Sequence, residues 1–236
     1  MSAELAGERT FPHAVKTPQK SAVSQAVSAS PGSGRHEIVL PFPAPRESLG
    51  AATEVRSTLI GSSVQSLRDF GHFERYASLL SAQHRAVILE SVAGQWLPIE
   101  VGLAHYSACD QLGLSITDQF EMGASVSRAV HGTFLGAVIR TAKNVGITPW
   151  TLLPKGNQLY GRVLRGGGGT QVTRVGPKEA RVEMVGVPML AVPYYRNALR
   201  GLYHAAVVLF CTRAYVREHA GSLPHATSSV LRIAWA

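Results

Sequence analysis

Hydrophobic residues in the last third of the chain alternate with polar residues in four short runs, a pattern typical of half-buried β-strands. In the second run, Val182 and Met184 alternate with Arg181 and Glu183. Between the second and third runs, residues 196–212 predict a helix whose second half is apolar on nearly every side, as in a core. The pattern predicts the order ββαββ, with strands at residues 170–175, 180–187, 214–219 and 229–235.

These four strands and their helix are expected to share one interior. Met184 of the second strand, Leu209 of the helix and Ile233 of the last strand should meet there. The predicted fold class is therefore α+β, with N-terminal helices packed on a mainly antiparallel sheet.

Apolar residues in the preceding part of the chain recur every three or four positions, which predicts helices. Pro98 is expected in the first turn of the second helix, where its missing N–H is harmless. Ser115 stands three residues before Asp118, which approximates a capping box at the start of the third helix. Gly132 and Gly136 in that helix leave a smooth patch for close packing. The four predicted helical regions are residues 73–92, 96–113, 115–144 and 148–163.

Residues 1–58 are rich in Ser, Ala and Pro and lack apolar periodicity, so they are predicted to form a disordered leader. Within it, only residues 37–41 are suited to dock as an edge strand. The alternative is a start codon placed too far upstream, so that the leader is not part of the mature protein. One α+β domain is predicted over residues 59–236, with a helical half at 59–165 and a ββαββ half at 170–236.

Composition narrows the possible partners. The chain has 236 residues, 45% of them hydrophobic, which is enough for one well-buried core. Of its net charge of +8, about seven units lie beyond residue 58, because residues 1–58 hold six Lys or Arg and five Asp or Glu. Excess positive charge attracts nucleic acids and other anions. The arginines are scattered singly without interleaved aromatic residues, however, so a solvated surface is favoured and nucleic acid is not expected.

The chain carries no pattern of a secreted or membrane protein. Cys109 and Cys211 lie far apart in unlike contexts, which excludes a disulfide framework and a CxxC metal pair. Residues 1–20 contain no apolar run of the kind that a secretory signal requires. The most apolar run, residues 205–211, is far shorter than the roughly 20 residues of a membrane-spanning helix. A cytoplasmic location without membrane insertion is therefore predicted.

The order of elements resembles the superfamily of vinyl-reductase-type and haem-nitric-oxide-binding domains. More narrowly, the chain is similar to an uncharacterised paralogous family of such proteins in myxobacteria. The resemblance implies a ligand-binding fold with a pocket over about residues 59–236. It is carried by ARVEMVGVP at residues 180–188, YYRNALRGLYHAA at 194–206 and VLRIAW at 230–235.

Two departures limit what the resemblance implies. Haem-binding members carry a Tyr-x-Ser-x-Arg signature, but the nearest strings, at residues 76–80 and 106–108, do not supply it. Vinyl-reductase-type domains typically have cysteines between the last two strands, and residues 221–227 contain none. Neither haem, another cofactor nor a metal is therefore expected.

A pocket is expected around the helix of the ββαββ half. His204 lies in its most apolar stretch, where a polar group must find a partner or line a cavity; a histidine satisfied by a neighbouring carbonyl is the alternative. Tyr194, Tyr195, Arg196 and Arg200 gather near the start of the helix, where unpaired N–H groups favour an anion. These five residues are the candidate ligand-binding site, although both tyrosines are also suited to simple packing.

The remaining polar residues do not indicate an enzyme. His105 and Cys109 share one helix face and form half of a zinc site, but further ligands at a suitable spacing are missing, so a buried cysteine beside a surface or capped histidine is favoured. No Gly-x-Ser-x-Gly string is present. We expect a non-catalytic sensory or regulatory domain for a small apolar or anionic ligand, with a possible homodimer through the helical half. The alternative is a protein–protein adaptor without an open pocket.

Overall fold

Six of the seven α-helices in the described residues lie before residue 164. The structure is a computed structural model that describes residues 36–130, 148–219 and 226–236. Short 3-10 turns at residues 46–48, 149–151, 153–155 and 188–191 link the longer elements. The helices are α1 (Ser57–Asp69), α2 (Phe73–Leu79), α3 (Ala82–Glu90), α4 (Ile99–Asp110), α5 (Ile116–Val130), α6 (Gly156–Val163) and α7 (Pro193–Val207).

The strands form two antiparallel sheets. A five-stranded sheet has the order β1-β5-β6-β8-β7, and a three-stranded sheet has the order β3-β2-β4. The α+β class and the ββαββ order of the C-terminal half are thus confirmed. The strands are β1 (Glu37–Leu40), β2 (Glu54–Arg56), β3 (Trp96–Pro98), β4 (Leu164–Arg165), β5 (Gly169–Gly176), β6 (Glu179–Val185), β7 (Ala214–Glu218) and β8 (Ser229–Trp235).

The inner face of the large sheet packs against α7. Met184 and Ile233 are buried on this face, and the hydroxyl of Tyr203 on α7 donates to the sulfur of Met184 at 3.8 Å. Leu209 does not join them, because α7 ends at Val207 and the Leu209 side chain is 39% exposed. The prediction was wrong for Leu209, because the helix ends before the apolar run does.

Two predicted helix boundaries differ from the structure. The helix expected over residues 73–92 is divided into α2 and α3, because Leu80 and Ser81 are extended and the Ser81 hydroxyl accepts the N–H of His84 at 3.2 Å. Trp96 and Pro98 were expected inside the second helix. They form β3 instead, since this segment pairs with β2, and α4 begins only at Ile99.

The start of the third helix is confirmed. The Ser115 hydroxyl accepts the N–H of Asp118 at 3.1 Å, which is the first half of a capping box, and it donates to the Asp118 carboxylate at 2.7 Å in place of the usual second half. Gly123 and Val126 of the predicted apolar stripe are buried. The continuation of this helix, with Gly132, Gly136 and the rest of the stripe, lies outside the described residues.

The folded part of the chain begins earlier than Leu59. Strand β1 pairs with β5 at the edge of the large sheet, which confirms the edge strand expected at residues 37–41. Strand β2 also precedes the predicted boundary, and its Val55 is fully buried in the core. Both strands are too short to produce a periodic pattern in the sequence, so the disordered leader was predicted to be too long. Residues 1–35 lie outside the described part of the chain.

Candidate ligand cavity

A buried histidine stands at the centre of the helical half. His105 on α4 is fully buried, and its Nδ1 lies 2.6 Å from the Tyr76 hydroxyl oxygen of α2. Its Nε2 lies 2.9 Å from Oγ of Ser63 on α1. Both ring nitrogens thus have a hydrogen-bond partner, and burial lowers the pKa of His105 to about 3. The ring is therefore neutral at physiological pH, with one nitrogen donating and the other accepting.

Cys109 extends this polar cluster by one helical turn. Its sulfur lies 3.9 Å from Nε2 of His105, and burial raises the pKa of the thiol well above its ordinary value. Burial also raises the pKa of the Tyr194 hydroxyl, which donates to the sulfur of Met122 at 3.6 Å. All the titratable groups of the cluster are consequently uncharged.

A small, partly open cavity borders this cluster between α1, α4, α5 and α7. Its volume is about 30 Å³, and its walls combine apolar side chains with the hydroxyl-bearing Ser63. A cavity of this size holds roughly one water-sized molecule. Its lining includes Leu59, Tyr106, Met122, Tyr194, Tyr195 and Leu202.

Helices α5 and α7 close the cavity on one side by direct backbone contact. A Cβ atom on Gly123 would lie 1.8 Å from the carbonyl oxygen of Ala198, and one on Gly201 would lie 1.9 Å from that of Phe120. Both distances are far shorter than any van der Waals contact. The two helices therefore approach each other only because each presents a glycine at the crossing.

The structure brings two of the five predicted site residues to the cavity. Tyr194 and Tyr195 line it. Arg196 points elsewhere: its Nη1 donates to the carbonyl of Leu190 at 2.9 Å, and its Nε lies 3.8 Å from Oε1 of Glu218.

The other two predicted residues lie outside the cavity as well. Arg200 donates to Oδ1 of Asn197 at 3.3 Å. His204 is half-buried, and its ring lies 5.3 Å from the ring of Phe120 on α5. His204 and the two arginines therefore do not form one site with the tyrosines.

The start of α7, which was expected to attract an anion, already holds one from the chain itself. The backbone N–H of Tyr194 donates to Oδ1 of Asp110 at 2.8 Å. Asp110 is the last residue of α4, so its carboxylate satisfies an otherwise unpaired donor in the first turn of α7. An external anion at this position would have to displace an internal hydrogen bond.

Sequence reasoning missed the contribution of α1 and the role of His105. Ser63 lies 42 residues before His105, and no local pattern connects the two positions. The four-residue spacing of His105 and Cys109 was a real signal, because it identified two side chains on one helix face. It was read as a cysteine beside a surface or capped histidine, whereas both side chains are buried.

Several solved structures that match this fold are H-NOX domains. The Fe(II) unliganded H-NOX protein from K. algicida matches with a TM-score of 0.57 at 10% identity, over 77% of this chain and 96% of that one. An oxygen-binding H-NOX domain related to soluble guanylate cyclases matches with a TM-score of 0.51 at 14% identity, over 76% and 94%. A domain from work on haem distortion in the H-NOX family gives 0.53 at 14% identity, again over 76% and 94%.

The chain has an H-NOX-like fold. The resemblance to haem-nitric-oxide-binding domains inferred from the sequence is therefore confirmed at the level of the fold. Likeness at this identity extends to the fold alone. No protein-family model and no curated protein matches the sequence.

The described residues do not fit a haem group. Sites for ligands and cofactors typically enclose about 300 Å³ or more, whereas the cavity between the helices measures about 30 Å³. The contact of α5 with α7 at Gly123 and Gly201 leaves no slot between these helices. No histidine lines the cavity within the described part of the chain, and both nitrogens of nearby His105 are already paired.

Residues 36–130, 148–219 and 226–236 contain no group of three or more His, Cys, Asp or Glu side chains that could hold a metal ion. Within these ranges no helix is long and apolar enough to cross a bilayer.

Proposed function

We propose that this chain is a non-catalytic sensory or regulatory domain that binds a small neutral molecule in the cavity between α1, α4, α5 and α7. The observation that carries the proposal is a small, mainly apolar cavity bordered by a hydrogen-bonded but uncharged polar cluster. Such a combination of apolar lining and a few placed polar groups is typical of ligand sites.

The electrostatics favour a neutral ligand over an anionic one. A buried charge without a partner is unfavourable, and the lining residues of the cavity carry no cation within the described part of the chain. His105 is neutral because burial lowers its pKa to about 3. The carboxylate of Asp110 already accepts a hydrogen bond from the backbone N–H of Tyr194, which an anion at the start of α7 would otherwise use. The ligand is therefore apolar or weakly polar.

The cavity volume limits the size of the ligand. Without rearrangement, about 30 Å³ accepts only a ligand of roughly the size of a water molecule. A larger ligand requires the side chains of Tyr195 or Leu202 to move, because both occupy the lining. Ligand size thus decides whether binding leaves the helices in place or changes their packing.

The burial and protonation states of His105 and Cys109 favour a regulatory role over catalysis. This pair is the nearest approach to a nucleophile and base, with 3.9 Å between Sγ and Nε2. Both side chains are fully buried, and burial raises the pKa of the thiol, so the reactive thiolate does not form. Nε2 of His105 is also paired with Ser63.

The cavity can be tested by ligand-dependent thermal melting of the full chain. Xenon under pressure and a panel of small neutral molecules serve as probes. A probe present at 100 times its dissociation constant should raise the melting temperature by about 5–10 °C. Ala198→Val fills the cavity and should abolish the shift, whereas Ala104→Val on α4, away from the lining, should retain it. No shift with any probe, or an equal shift in both variants, contradicts the proposal.

A protein–protein adaptor is the second candidate. It is favoured by the small volume of the cavity and by the backbone contact of α5 with α7, which together fill the interior of the fold with its own residues. An adaptor should show no melting shift with any probe in wild type. It should nevertheless retain a partner that binds one of its surfaces.

The proposal includes a homodimer through the helical half. It is supported by apolar side chains exposed on and after α3, where Leu89 is 42% and Val92 is 72% exposed. Sedimentation of the full chain should give a dimer that Leu89→Glu dissociates, whereas Leu209→Glu, at a site 39% exposed beyond α7, should leave it intact. A monomeric wild type contradicts this part of the proposal.

The proposal also includes the narrower placement in the vinyl-reductase-type superfamily, among its myxobacterial paralogues, and a location in the cytoplasm. The placement is supported by the three sequence runs at residues 180–188, 194–206 and 230–235, which form β6, α7 and β8 in the H-NOX-like fold. Fractionation of the native host, with the chain detected by antibody, tests the location.

A further inference from the structure

Three arginines form a row across the outer face of the large sheet. Arg232 of β8 is paired in register with Arg181 of β6 on one side and with Arg217 of β7 on the other. All three side chains are exposed, on the face opposite to α7. Neighbouring strands lie about 4.8 Å apart, so like charges in register repel each other. The row is therefore unfavourable unless anionic groups neutralise it.

The carboxylates on this face neutralise only part of the row. Glu183 pairs with Arg181 at 3.0 Å and also with Arg46 at 2.6 Å, and Glu179 pairs with Arg232. No carboxylate of the described residues pairs with Arg217. Positive charge is thus left over at β7, the last strand of the sheet.

Strand β7 extends this charge along the sheet edge. Arg213, Tyr215, Arg217 and His219 are all exposed on the outer face, and they alternate with the buried Ala214 and Val216 and the half-buried Glu218. The exposed side chains repeat every two residues, about 6.6 Å apart. A second extended chain beside β7 would present its own side chains with the same period.

Among the described residues, one edge of β7 carries no paired strand and could accept such a chain. Arg213 exchanges N–H···O bonds with Ala236, and the N–H of His219 donates to the carbonyl of Val230, so these positions face β8. Hydrogen bonding alternates along an antiparallel strand. The N–H and C=O groups of Ala214 and Val216 therefore point away from β8, and no strand in the described part of the chain pairs with them.

We propose that β7 is a docking edge for an acidic extended segment of a partner protein, which adds to the sheet as a sixth strand. Main-chain hydrogen bonds to Ala214 and Val216 supply part of the affinity. Acidic side chains at alternate positions lie beside Arg213 and Arg217 and supply the selectivity. This surface lies on the sheet edge, and the proposal is independent of the cavity between the helices.

Two other occupants fit the surface less well. A second copy of the chain would add its own Arg213 and Arg217 to the same face and would increase the repulsion. Single-stranded nucleic acid stacks its bases on a series of aromatic side chains. On this face only one aromatic side chain of the described residues, Tyr215 at 53%, is largely exposed.

The test measures binding of labelled peptides to the full chain by fluorescence anisotropy. The probe is an extended peptide in which glutamate alternates with threonine and valine, and its control has glutamine in place of glutamate. The glutamate peptide should bind at least tenfold more tightly, and added salt should weaken it.

Strand addition has a signature that simple charge attraction lacks. N-methylation of one alternate set of peptide residues removes the amides that face β7 and should abolish binding, whereas N-methylation of the other set should leave binding intact. Equal binding of both N-methylated peptides overturns strand addition. Tighter binding of single-stranded nucleic acid than of the peptide overturns the choice of partner.

Variants locate the binding surface. The double substitution Arg213→Gln and Arg217→Gln should weaken peptide binding about tenfold. Arg75→Gln, at an exposed position on α2, is the matched control and should leave binding unchanged. Equal affinity of both variants overturns the proposed site. The outcome does not depend on any ligand of the cavity, so failure here leaves that proposal standing.

Discussion

Polar groups in the interior of the helical half are paired and uncharged, whereas those on the outer face of the large sheet are charged and only partly paired. In the interior, His105 is paired through both ring nitrogens, and the groups around it are uncharged. On the sheet face, three arginines stand in register and Arg217 has no carboxylate partner in the described residues. Full satisfaction of buried groups stabilises a fold, whereas unsatisfied exposed charge is available for a partner. The paired, uncharged groups of the interior therefore stabilise the fold and disfavour charged ligands, whereas the unpaired charge on the sheet face favours binding of an anionic partner.

The largest effect is expected where the helices α5 and α7 cross. Gly123→Ala or Gly201→Ala places a methyl group within 2 Å of a backbone carbonyl, so the free energy of unfolding should fall by about 3 kcal/mol or more. Urea denaturation measures the change. Gly61→Ala, at an exposed position on α1 with no atom nearby, should instead raise stability by roughly 0.5–1 kcal/mol. Equal stability of the three variants would show that the crossing is looser than described.

The next largest effect concerns the pH dependence of stability through His105. Its pKa is about 3 in the folded protein against an ordinary value of 6.5, so the unfolded chain binds a proton first as the pH falls. The contribution of neutral His105 to the free energy of unfolding is complete above pH 6.5 and is lost as the pH falls toward 3. The loss of unfolding free energy between pH 6.5 and pH 5 amounts to about 2 kcal/mol.

The variant His105→Gln isolates that contribution. Glutamine does not titrate, so the difference in unfolding free energy between wild type and variant should shrink as the pH is lowered. Chemical denaturation at a series of pH values gives this difference. A difference that stays constant from pH 7 to pH 5 would show that His105 is already protonated or solvated in the folded protein.

A smaller effect is expected from the partner of His105. Tyr76→Phe leaves Nδ1 of the buried imidazole without its hydrogen bond, which should reduce stability by about 1–2 kcal/mol. Tyr215→Phe is the matched control, because that hydroxyl lies on an exposed side chain and its removal should change stability by less than about 0.5 kcal/mol. If the two substitutions cost the same, the network around His105 does not stabilise the fold.

The smallest effect is expected on the sheet face. Arg217→Gln should change the unfolding free energy by less than about 0.5 kcal/mol, because the side chain is exposed. Its sign is informative: removal of one like charge beside Arg232 should stabilise the protein slightly at low salt and have no effect at high salt. Denaturation at two ionic strengths measures this. A clear loss of stability would show that Arg217 has a structural partner.

Local patterns predicted the features that depend on neighbouring residues. The Ser115–Asp118 cap and the alternation of Val182 and Met184 with charged residues both require only a few consecutive positions. The cap is present, and Val182 and Met184 are buried while Arg181 is exposed, although Glu183 is buried as well. The break at Ser81 has a local cause as well, since Ser81 caps the next helix. It was missed because the apolar spacing continues through it.

Contacts between distant segments could not be predicted in the same way. Ser63 and His105 are 42 residues apart, and their hydrogen bond depends on how α1 packs against α4. The sequence indicated scattered arginines, yet strand register places Arg181, Arg217 and Arg232 side by side. The prediction of an anion site at the start of α7 did not include Asp110. This residue at the end of α4 reaches the start of α7 only in the folded protein.

The sequence by itself determined the α+β class, the ββαββ order and the capped start of α5, because periodicity and capping act over a few residues. Only the tertiary structure decided the volume of the cavity, the neutral state of His105 and the row of arginines on the sheet. Each of these depends on burial or register, which arises when segments far apart in the chain pack together.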